Sequence, residues 1–234
     1  MNNGGAFSYI GQTGTVKDLI IFGSITGNNN IGGIAGKNEG TIENCYNAAN
    51  VIGNRYVGGI AGYLGEKNIA AFVENCSNTG NISATASKRG QGQAGGIAGY
   101  IQNSSSVISN CCNSGAVTAK TQAGAIAGYC QGTVKNCYWD MTRSAGAKAA
   151  DAIAEGNDST SFSYDSAADA INALNAGRGD GASWKLDDNE NPVLDLQSDS
   201  EIDTTPKLTL DRSNATLYVN GGAGKDSVTL TAKM

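Results

Sequence analysis

A short motif, repeated along the chain, limits what this sequence can fold into more than any other feature. It is a Gly-rich stretch found at residues 31–36 (IGGIAG), 57–62 (VGGIAG), 94–99 (AGGIAG) and 123–128 (AGAIAG), with a degenerate copy at 4–9. A second motif, apolar-x-Asn-Cys or a close variant, alternates with it at residues 16–19, 42–45, 73–76, 108–111 and 134–137. Self-similarity of this kind is typical of a solenoid.

The basic period is 26 residues, which separates Leu19 from Cys45 and Cys111 from Cys137. Longer coils contain polar, Gly-rich or Ser-rich insertions at residues 64–70, 84–93 and 102–106, which we expect to be surface loops. A third apolar position recurs at Ile25, Val51, Ile82 and Val117. The pattern therefore predicts three short strands in each coil.

Residue types favour strands over helices. Segments such as 41–43 (TIE) are β-branched and alternate in polarity, whereas each glycine would cost about 1 kcal/mol inside a helix. The chain has 33 Gly but only 4 Phe and 2 Trp, which fits a thin repeating core. Such short strands must pair in parallel with their equivalents in coils about 4.8 Å away. We therefore predict an all-β fold, a parallel β-helix (β-solenoid) of about five three-stranded coils over residues 1–142.

Stacked coils align equivalent residues in ladders, and two ladders stand out. The inward ladder consists of Leu19, Cys45, Cys76, Cys111 and Cys137. The corner ladder consists of Asp18, Asn44, Asn75, Asn110 and Asn136. Asn and Asp tolerate left-handed backbone angles, so we interpret the second ladder as a structural corner.

The six cysteines allow more than one interpretation. At the inward ladder a thiol is a small apolar filler, which favours a buried, reduced stack over a metal site or disulfides. Cys112 and Cys130 lie outside this ladder and are the pair to expect if a disulfide exists.

At residues 31–46 and 123–138 the sequence resembles the GLUG-motif repeats of bacterial surface proteins, in which a Gly-Gly-apolar-Ala-Gly stretch precedes apolar-x-Asn-Cys-Tyr. The resemblance covers about residues 1–142. It implies a large secreted or wall-attached protein, often adhesin-like, and some family members are attached to immunoglobulin A peptidases. The peptidase centre is a His-containing zinc motif, and this chain has no histidine.

The repeat stops after Cys137, and the rest of the chain divides into two further parts. Residues 143–200 are predicted to be a capping segment, with a short helix at 165–174 and a closing element at Trp184 and 192–194 that covers the exposed end of the solenoid. Residues 201–234 are predicted to form three strands, with a turn at 221–224. This tail resembles the start of a truncated bacterial immunoglobulin-like module, so we expect further modules of the parent chain to follow.

The composition of the chain excludes some classes of binding partner and some kinds of catalytic site. Lys and Arg number 16 against 21 Asp and Glu, with no long basic run, so we expect no nucleic-acid partner. No stretch approaches the roughly 20 apolar residues of a membrane-spanning helix, so we expect no membrane insertion, and any export signal is expected outside this sequence. The absence of histidine removes the commonest general base and the His-ligated zinc sites, so we predict no catalytic residues, no cofactor and no metal.

Three weaker motifs each allow both a functional and a purely structural interpretation. Arg178, Gly179 and Asp180 form an integrin-type tripeptide in a Gly-rich turn, where chance is a better explanation than binding because a tripeptide carries little information. The acidic run at 187–190 is either a calcium site or a solvated turn. Glu43 and Glu74 would lie about 5 Å apart on one outer face, which is compatible with a carboxylate mechanism.

The sequence thus favours a non-catalytic extracellular segment of a larger bacterial surface or secreted protein. Its function would be adhesion or binding of a host-surface or polysaccharide ligand, since a ladder repeated in every coil binds a periodic ligand at many points. A passive stalk or spacer is the first alternative, and a polysaccharide-degrading β-helix enzyme is the second.

Overall fold

The computed structural model describes residues 3–88, 90–140, 153, 161–164, 166–196, 216–220 and 227–231. Five parallel sheets run along a solenoid of about five coils, which confirms the predicted fold. Each sheet takes one short strand from successive coils, and all pairings between coils are parallel and in register.

The sheets are numbered in the order in which the chain passes through them within a coil. Sheet 1 contains β1 (Phe7–Ile10), β6 (Ala35–Asn38), β11 (Ala61–Leu64), β16 (Ala98–Ile101) and β21 (Ala127–Cys130). Sheet 2 contains β2 (Thr15–Lys17), β7 (Thr41–Glu43), β12 (Phe72–Glu74), β17 (Val107–Ser109) and β22 (Thr133–Lys135). Sheet 3 contains β3 (Ile20–Ile21), β8 (Tyr46–Asn47), β13 (Ser77–Asn78), β18 (Cys112–Asn113), β23 (Cys137–Asp140) and β24 (Ser161–Tyr164).

The two remaining sheets complete the coil. Sheet 4 contains β4 (Ser24–Thr26), β9 (Asn50–Gly53), β14 (Ile82–Ala84) and β19 (Val117–Ala119). Sheet 5 contains β5 (Asn29–Gly32), β10 (Arg55–Gly58), β15 (Gln93–Gly95) and β20 (Gln122–Gly124).

A complete coil therefore has five strands rather than the three predicted. The Gly-rich motif is not one strand, because the chain bends at residues 33–34 and divides it between β5 and β6. The corner at Asn44 likewise separates β7 from the two-residue strand β8. The insertions leave the coil where the sequence predicted, between β11 and β12, between β14 and β15, and between β16 and β17.

The interior is divided into two separate hydrophobic cores. The main core contains Ile34, Ile42 and the inward ladder. The second core lies between sheets 4 and 5 and contains Ile31, Val51 and their equivalents. Side chains of these cores are almost completely buried, as expected for coils that stack without gaps.

A second asparagine ladder, which the sequence analysis did not identify, lies between the cores. Asn47 donates to Asn78 Oδ1 at 2.7 Å, and Asn78 donates to Asn113 Oδ1 at 2.7 Å. Each of the three also donates to the carbonyl two residues ahead, so these fully buried amides are satisfied along the coil and across coils. A Cβ at Gly59 would overlap Gly96 O and the Asn78 amide, which explains why the facing position is glycine.

Residues 166–196, here called the strap, contain α1 (Ala167–Gly177), β25 (Trp184–Leu186) and β26 (Pro192–Leu194). The helix and the closing element were predicted, but their predicted position over the end of the solenoid is wrong. The strap packs on the side of the coils, where Leu174, Trp184 and Leu194 cover Cys112. Its apolar residues thus bury the outer side of sheet 3 rather than the open end of the core.

Two further strands, β27 (Thr216–Asn220) and β28 (Ser227–Thr231), form an antiparallel pair. The other predicted tail strand, near residues 206–210, and the turn at 221–224 lie outside the described residues. In the part of the chain that the structure describes, no helix has the length and apolar character needed to span a bilayer.

Candidate functional site

The inward ladder lies in the main core, with each of its five side chains less than 9% exposed. The thiols of Cys45, Cys76 and Cys111 donate to the carbonyls two residues earlier, at 3.1–3.2 Å. Burial raises the pKa of the Cys45 and Cys111 thiols well above the ordinary value. Enclosed thiols are inaccessible to substrates and metal ions, so this ladder acts as packing.

Cys112 and Cys130 are both free thiols and lie in different clusters. Cys112 faces the strap, whereas Cys130 belongs to the main core. Burial raises the pKa of Cys112, and it raises the pKa of Cys130 to about 11. The disulfide considered for this pair is therefore not formed.

The corner ladder has the backbone geometry that its residue types suggested. The φ angles of Asp18, Asn44, Asn75, Asn110 and Asn136 are 57°, 52°, 49°, 53° and 48°. Neighbouring side chains hydrogen-bond along the axis: Asn75 donates to Asn44 at 2.7 Å, Asn110 to Asn75 at 2.8 Å, and Asn136 to Asn110 at 2.6 Å. The corner is thus a continuous amide chain.

The strap closes this corner. The Trp184 indole donates to Asn75 Oδ1 at 2.6 Å, the Ala182 amide donates to Asn44 Oδ1 at 3.2 Å, and Asn75 donates to the Ala182 carbonyl at 3.0 Å. Both side-chain groups of Asn75 and the Oδ1 atom of Asn44 are thus bonded within the chain itself.

The tripeptide Arg178–Gly179–Asp180 lies in the turn after α1. Gly179 has a φ of 59°, and the Arg178 guanidinium donates back to the Gly181 carbonyl. Gly179 and Asp180 are exposed. The arginine is folded onto its own turn rather than extended toward solvent.

The acidic run at 187–190 is ordered as a turn by its own hydrogen bonds. Asp187 Oδ1 accepts from the backbone amides of Asn189 at 2.9 Å and Asn191 at 2.8 Å. Within the described residues, no group of three or more Cys, Asp or Glu side chains could hold a metal ion.

Glu43 and Glu74 are in register on adjacent strands of sheet 2. The same outer row continues to Lys17 on one side and to Ser109 and Lys135 on the other. The row therefore mixes charges on an outer sheet face, with Lys17 beside Glu43 and Ser109 beside Glu74.

Sequence reasoning missed the row that is most suited to binding. It runs along the outer face of sheet 1, one residue per coil, and is called the tyrosine row: Tyr9, Lys37, Tyr63, Tyr100 and Tyr129. The following residues, such as Leu64 and Ile101, are buried in the main core, so alternation along the strands directs the tyrosines outward. A tyrosine directly after the motif at residues 63, 100 and 129 was the available signal.

The rings of the tyrosine row stack along the solenoid axis. The centroids of Tyr63 and Tyr100 are 5.3 Å apart with an interplanar angle of 12°, and those of Tyr100 and Tyr129 are 4.6 Å apart at 14°. Ring faces are thus covered by neighbouring rings, which leaves each of these tyrosines only partly exposed. The row presents ring edges and hydroxyl groups to the outside.

Lys37 replaces tyrosine in one coil and neutralises the carboxylates around it. Its ammonium lies 2.7 Å from both Glu39 Oε1 and Glu66 Oε2 and 5.8 Å from the Tyr63 ring centroid. Burial disfavours both charged forms, but the hydrogen bonds have the larger combined effect. The bonds to Glu39 and Glu66 raise the pKa of Lys37, and the bonds from Lys37 and the Tyr9 hydroxyl lower the pKa of Glu39. This end of the row is a paired ionic cluster.

Tyr56, from sheet 5, packs beside the row. Its ring centroid is 4.8 Å from Tyr100 and 5.7 Å from Tyr63, and its φ is 48°, which is rare for an aromatic residue. A Cβ at Gly99 would overlap the backbone of Tyr56, so sheet 5 of one coil lies directly against sheet 1 of the next. The glycines of the repeat thereby bring Tyr56 against the tyrosine row.

Amide side chains border the same row. The Tyr63 hydroxyl donates to Gln102, and the Gln131 amide donates to the Tyr129 hydroxyl at 3.2 Å. Gln93 and Gln122, in register on sheet 5, are 2% and 9% exposed, and neither Oε1 atom has a hydrogen-bond partner among the described residues. Gln93 lies next to the strand of Tyr129, since a Cβ at Gly128 would come 2.8 Å from Ala94 N.

Two of the coils match a known repeat. A sequence model of the GLUG motif matches residues 27–52 and 53–83, which lie within the β-solenoid. No curated protein matches the sequence. A crystal structure of a candidate immunoglobulin A1 protease from Bacteroides ovatus is similar in fold, with a TM-score of 0.58 and 21% identity over 83% of this chain and 75% of that chain.

Proposed function

We propose that this chain is a non-catalytic repeat segment of a larger bacterial surface or secreted protein, and that it binds a host-surface or polysaccharide ligand through the outer face of its coils. The GLUG repeats and the β-solenoid fold are compatible with a surface-protein segment. The observation that carries the binding proposal is the tyrosine row, in which one large side chain per coil is held at a fixed interval on an outer sheet face. Regular spacing suits a periodic ligand.

The proposal that the chain is not an enzyme rests on its chemistry. The sequence has no histidine, and the fold neighbour from Bacteroides ovatus is too distant in sequence for its name to say anything about activity here. The carboxylates of Glu43 and Glu74 remain the groups to test, by looking for new reducing or unsaturated ends after incubation with polysaccharides.

A glycan array probed with the whole chain tests the binding function. We expect a restricted set of glycans to retain the protein. Absence of binding to every glycan and to host-cell surfaces would instead favour the passive stalk, which the strap along the coils also suits because it ties several coils together.

A further inference from the structure

We infer that Tyr63, Tyr100 and Tyr129 of the tyrosine row, with the neighbouring Tyr56, Gln102 and Gln131, bind a neutral polysaccharide chain that lies along the solenoid axis. This inference rests on the proposed binding function and assigns it a site and a ligand class.

The charges of this face argue for a neutral ligand. Lys37 and Arg55 are its cations, and Glu39 and Glu66 are its carboxylates, so the described charges balance. The Arg55 side chain lies over the Tyr56 ring, 5.1 Å from its centroid, and donates to the Tyr56 hydroxyl at 3.3 Å. From Tyr63 to Tyr129 the row itself carries only phenol and amide groups, which gives an acidic polysaccharide no row of cations to follow.

The polar groups argue for a ligand rich in hydroxyls. Tyrosine hydroxyls and glutamine amides both donate and accept hydrogen bonds, and they alternate along the face in the pairs Tyr63–Gln102 and Tyr129–Gln131.

A protein partner fits this face less well. Protein interfaces have an apolar core that is fully buried on binding. Among the described residues, the exposed large apolar side chains are Tyr9, Phe22, Ile52, Phe72 and Leu186, and of these Tyr9 alone belongs to the tyrosine row. The remaining tyrosines show edges and hydroxyls, which match the polar rim and apolar edge of a sugar unit.

The tyrosines also repeat along the solenoid axis. Tyr63, Tyr100 and Tyr129 belong to three successive coils, spaced about 4.8 Å apart. A polymer of repeating units along the axis would contact each coil in a similar way, so weak contacts add up as in other multivalent binding.

The test measures binding of the whole chain to a soluble neutral β-glucan and to polygalacturonate by affinity electrophoresis and calorimetry at two salt concentrations. We expect the neutral polymer to bind with little salt dependence. Tyr100→Leu and Gln131→Ala are each expected to weaken binding about tenfold or more. Phe72→Leu removes an exposed aromatic ring from sheet 2 and is the matched control, expected to bind as the unmodified chain does.

Circular dichroism checks that each variant is folded, and Gln131, which is exposed, is not expected to affect folding. If the chain binds a polysaccharide but Tyr100→Leu and Gln131→Ala bind equally well, the inference is overturned while the proposed function stands. Stronger, salt-sensitive binding of polygalacturonate also overturns it. If no glycan binds at all, on the array or here, the proposed function fails as well.

Discussion

The corner ladder and the tyrosine row are both outer features that repeat in every coil, yet they differ in what covers them. At the corner, Asn44, Asn75 and Asn110 bond to one another, and the strap supplies Trp184 and the Ala182 backbone as further partners. Along the tyrosine row, the rings stack on one another at the outer face of sheet 1, and hydroxyl groups of the row hydrogen-bond to the bordering amides. The strap bonds to the corner, whereas the tyrosine row places phenol and amide groups on an outer sheet face, which is why we assign stability to the corner and propose binding for the tyrosines.

Both rows depend on the same closely packed coil, and Gly59→Ala should disrupt both together. The added methyl would overlap the Gly96 carbonyl and the Asn78 amide, and neither can move without breaking the ladder between the cores. We expect a loss of more than about 4 kcal/mol in the free energy of unfolding, or no folded protein. Gly11→Ala, whose methyl would meet only the Tyr9 ring at ordinary contact distances, is the control in denaturant titrations.

At the corner, Asn75→Ala is expected to lower the free energy of unfolding by about 3 kcal/mol. It strains a left-handed backbone and removes the acceptor of Asn110 and Trp184. Asn75→Gly keeps the backbone angle and loses only the hydrogen bonds, so it should cost about 1 kcal/mol less. Equal losses in the two variants would show that the left-handed angle contributes nothing.

The strap can be tested through its indole. Trp184→Phe removes the donor to Asn75 and is expected to cost about 1–2 kcal/mol, with faster hydrogen exchange in residues 182–194. Trp139→Phe is the matched control, because the Trp139 indole nitrogen is buried without a partner among the described residues. A larger cost for Trp139→Phe would contradict the role given to the strap contact.

Glu39→Gln, which alters the ionic cluster around Lys37 of the tyrosine row, is expected to have the smallest effect on stability. Because the pKa of Glu39 is lowered in the fold, its carboxylate stabilises the protein above its unfolded pKa of about 4.3, and this contribution is lost as the pH falls through the lowered folded value. The variant should be less stable by about 1 kcal/mol at pH 7, and the difference should shrink as the pH is lowered and the carboxylate becomes protonated. A difference that does not shrink as the pH falls would argue against the ionic contribution.

Much of the fold could be predicted because glycine, asparagine and β-branched residues recur at a fixed period. Asn44 and its equivalents could be placed at a bend because few other residues accept a positive φ. The bend at residues 33–34 that splits the Gly-rich motif could not, since flexible glycines are compatible with one strand or two.

The position of the strap was predicted wrongly for a physical reason. The strap has only a small apolar group, Leu174, Trp184 and Leu194, and such a group can pack on the end or on the side of a solenoid. The fold shows that it packs on the outward-facing Cys112. The tyrosine row was missed because partly buried tyrosines look like neither core nor corner. Its identity depends on which residues of different coils align, which pairing in sheet 1 fixes.

Nuclear magnetic resonance of the tyrosine-labelled chain, titrated with the neutral polysaccharide, tests the difference between the two rows most directly. We expect ring signals of Tyr63, Tyr100 and Tyr129 to shift, while Tyr46 and Tyr138, which pack near sheet 3 and the strap side, stay unchanged. Shifts confined to Tyr46 and Tyr138 would place the ligand on the side that the chain already covers and would contradict the account.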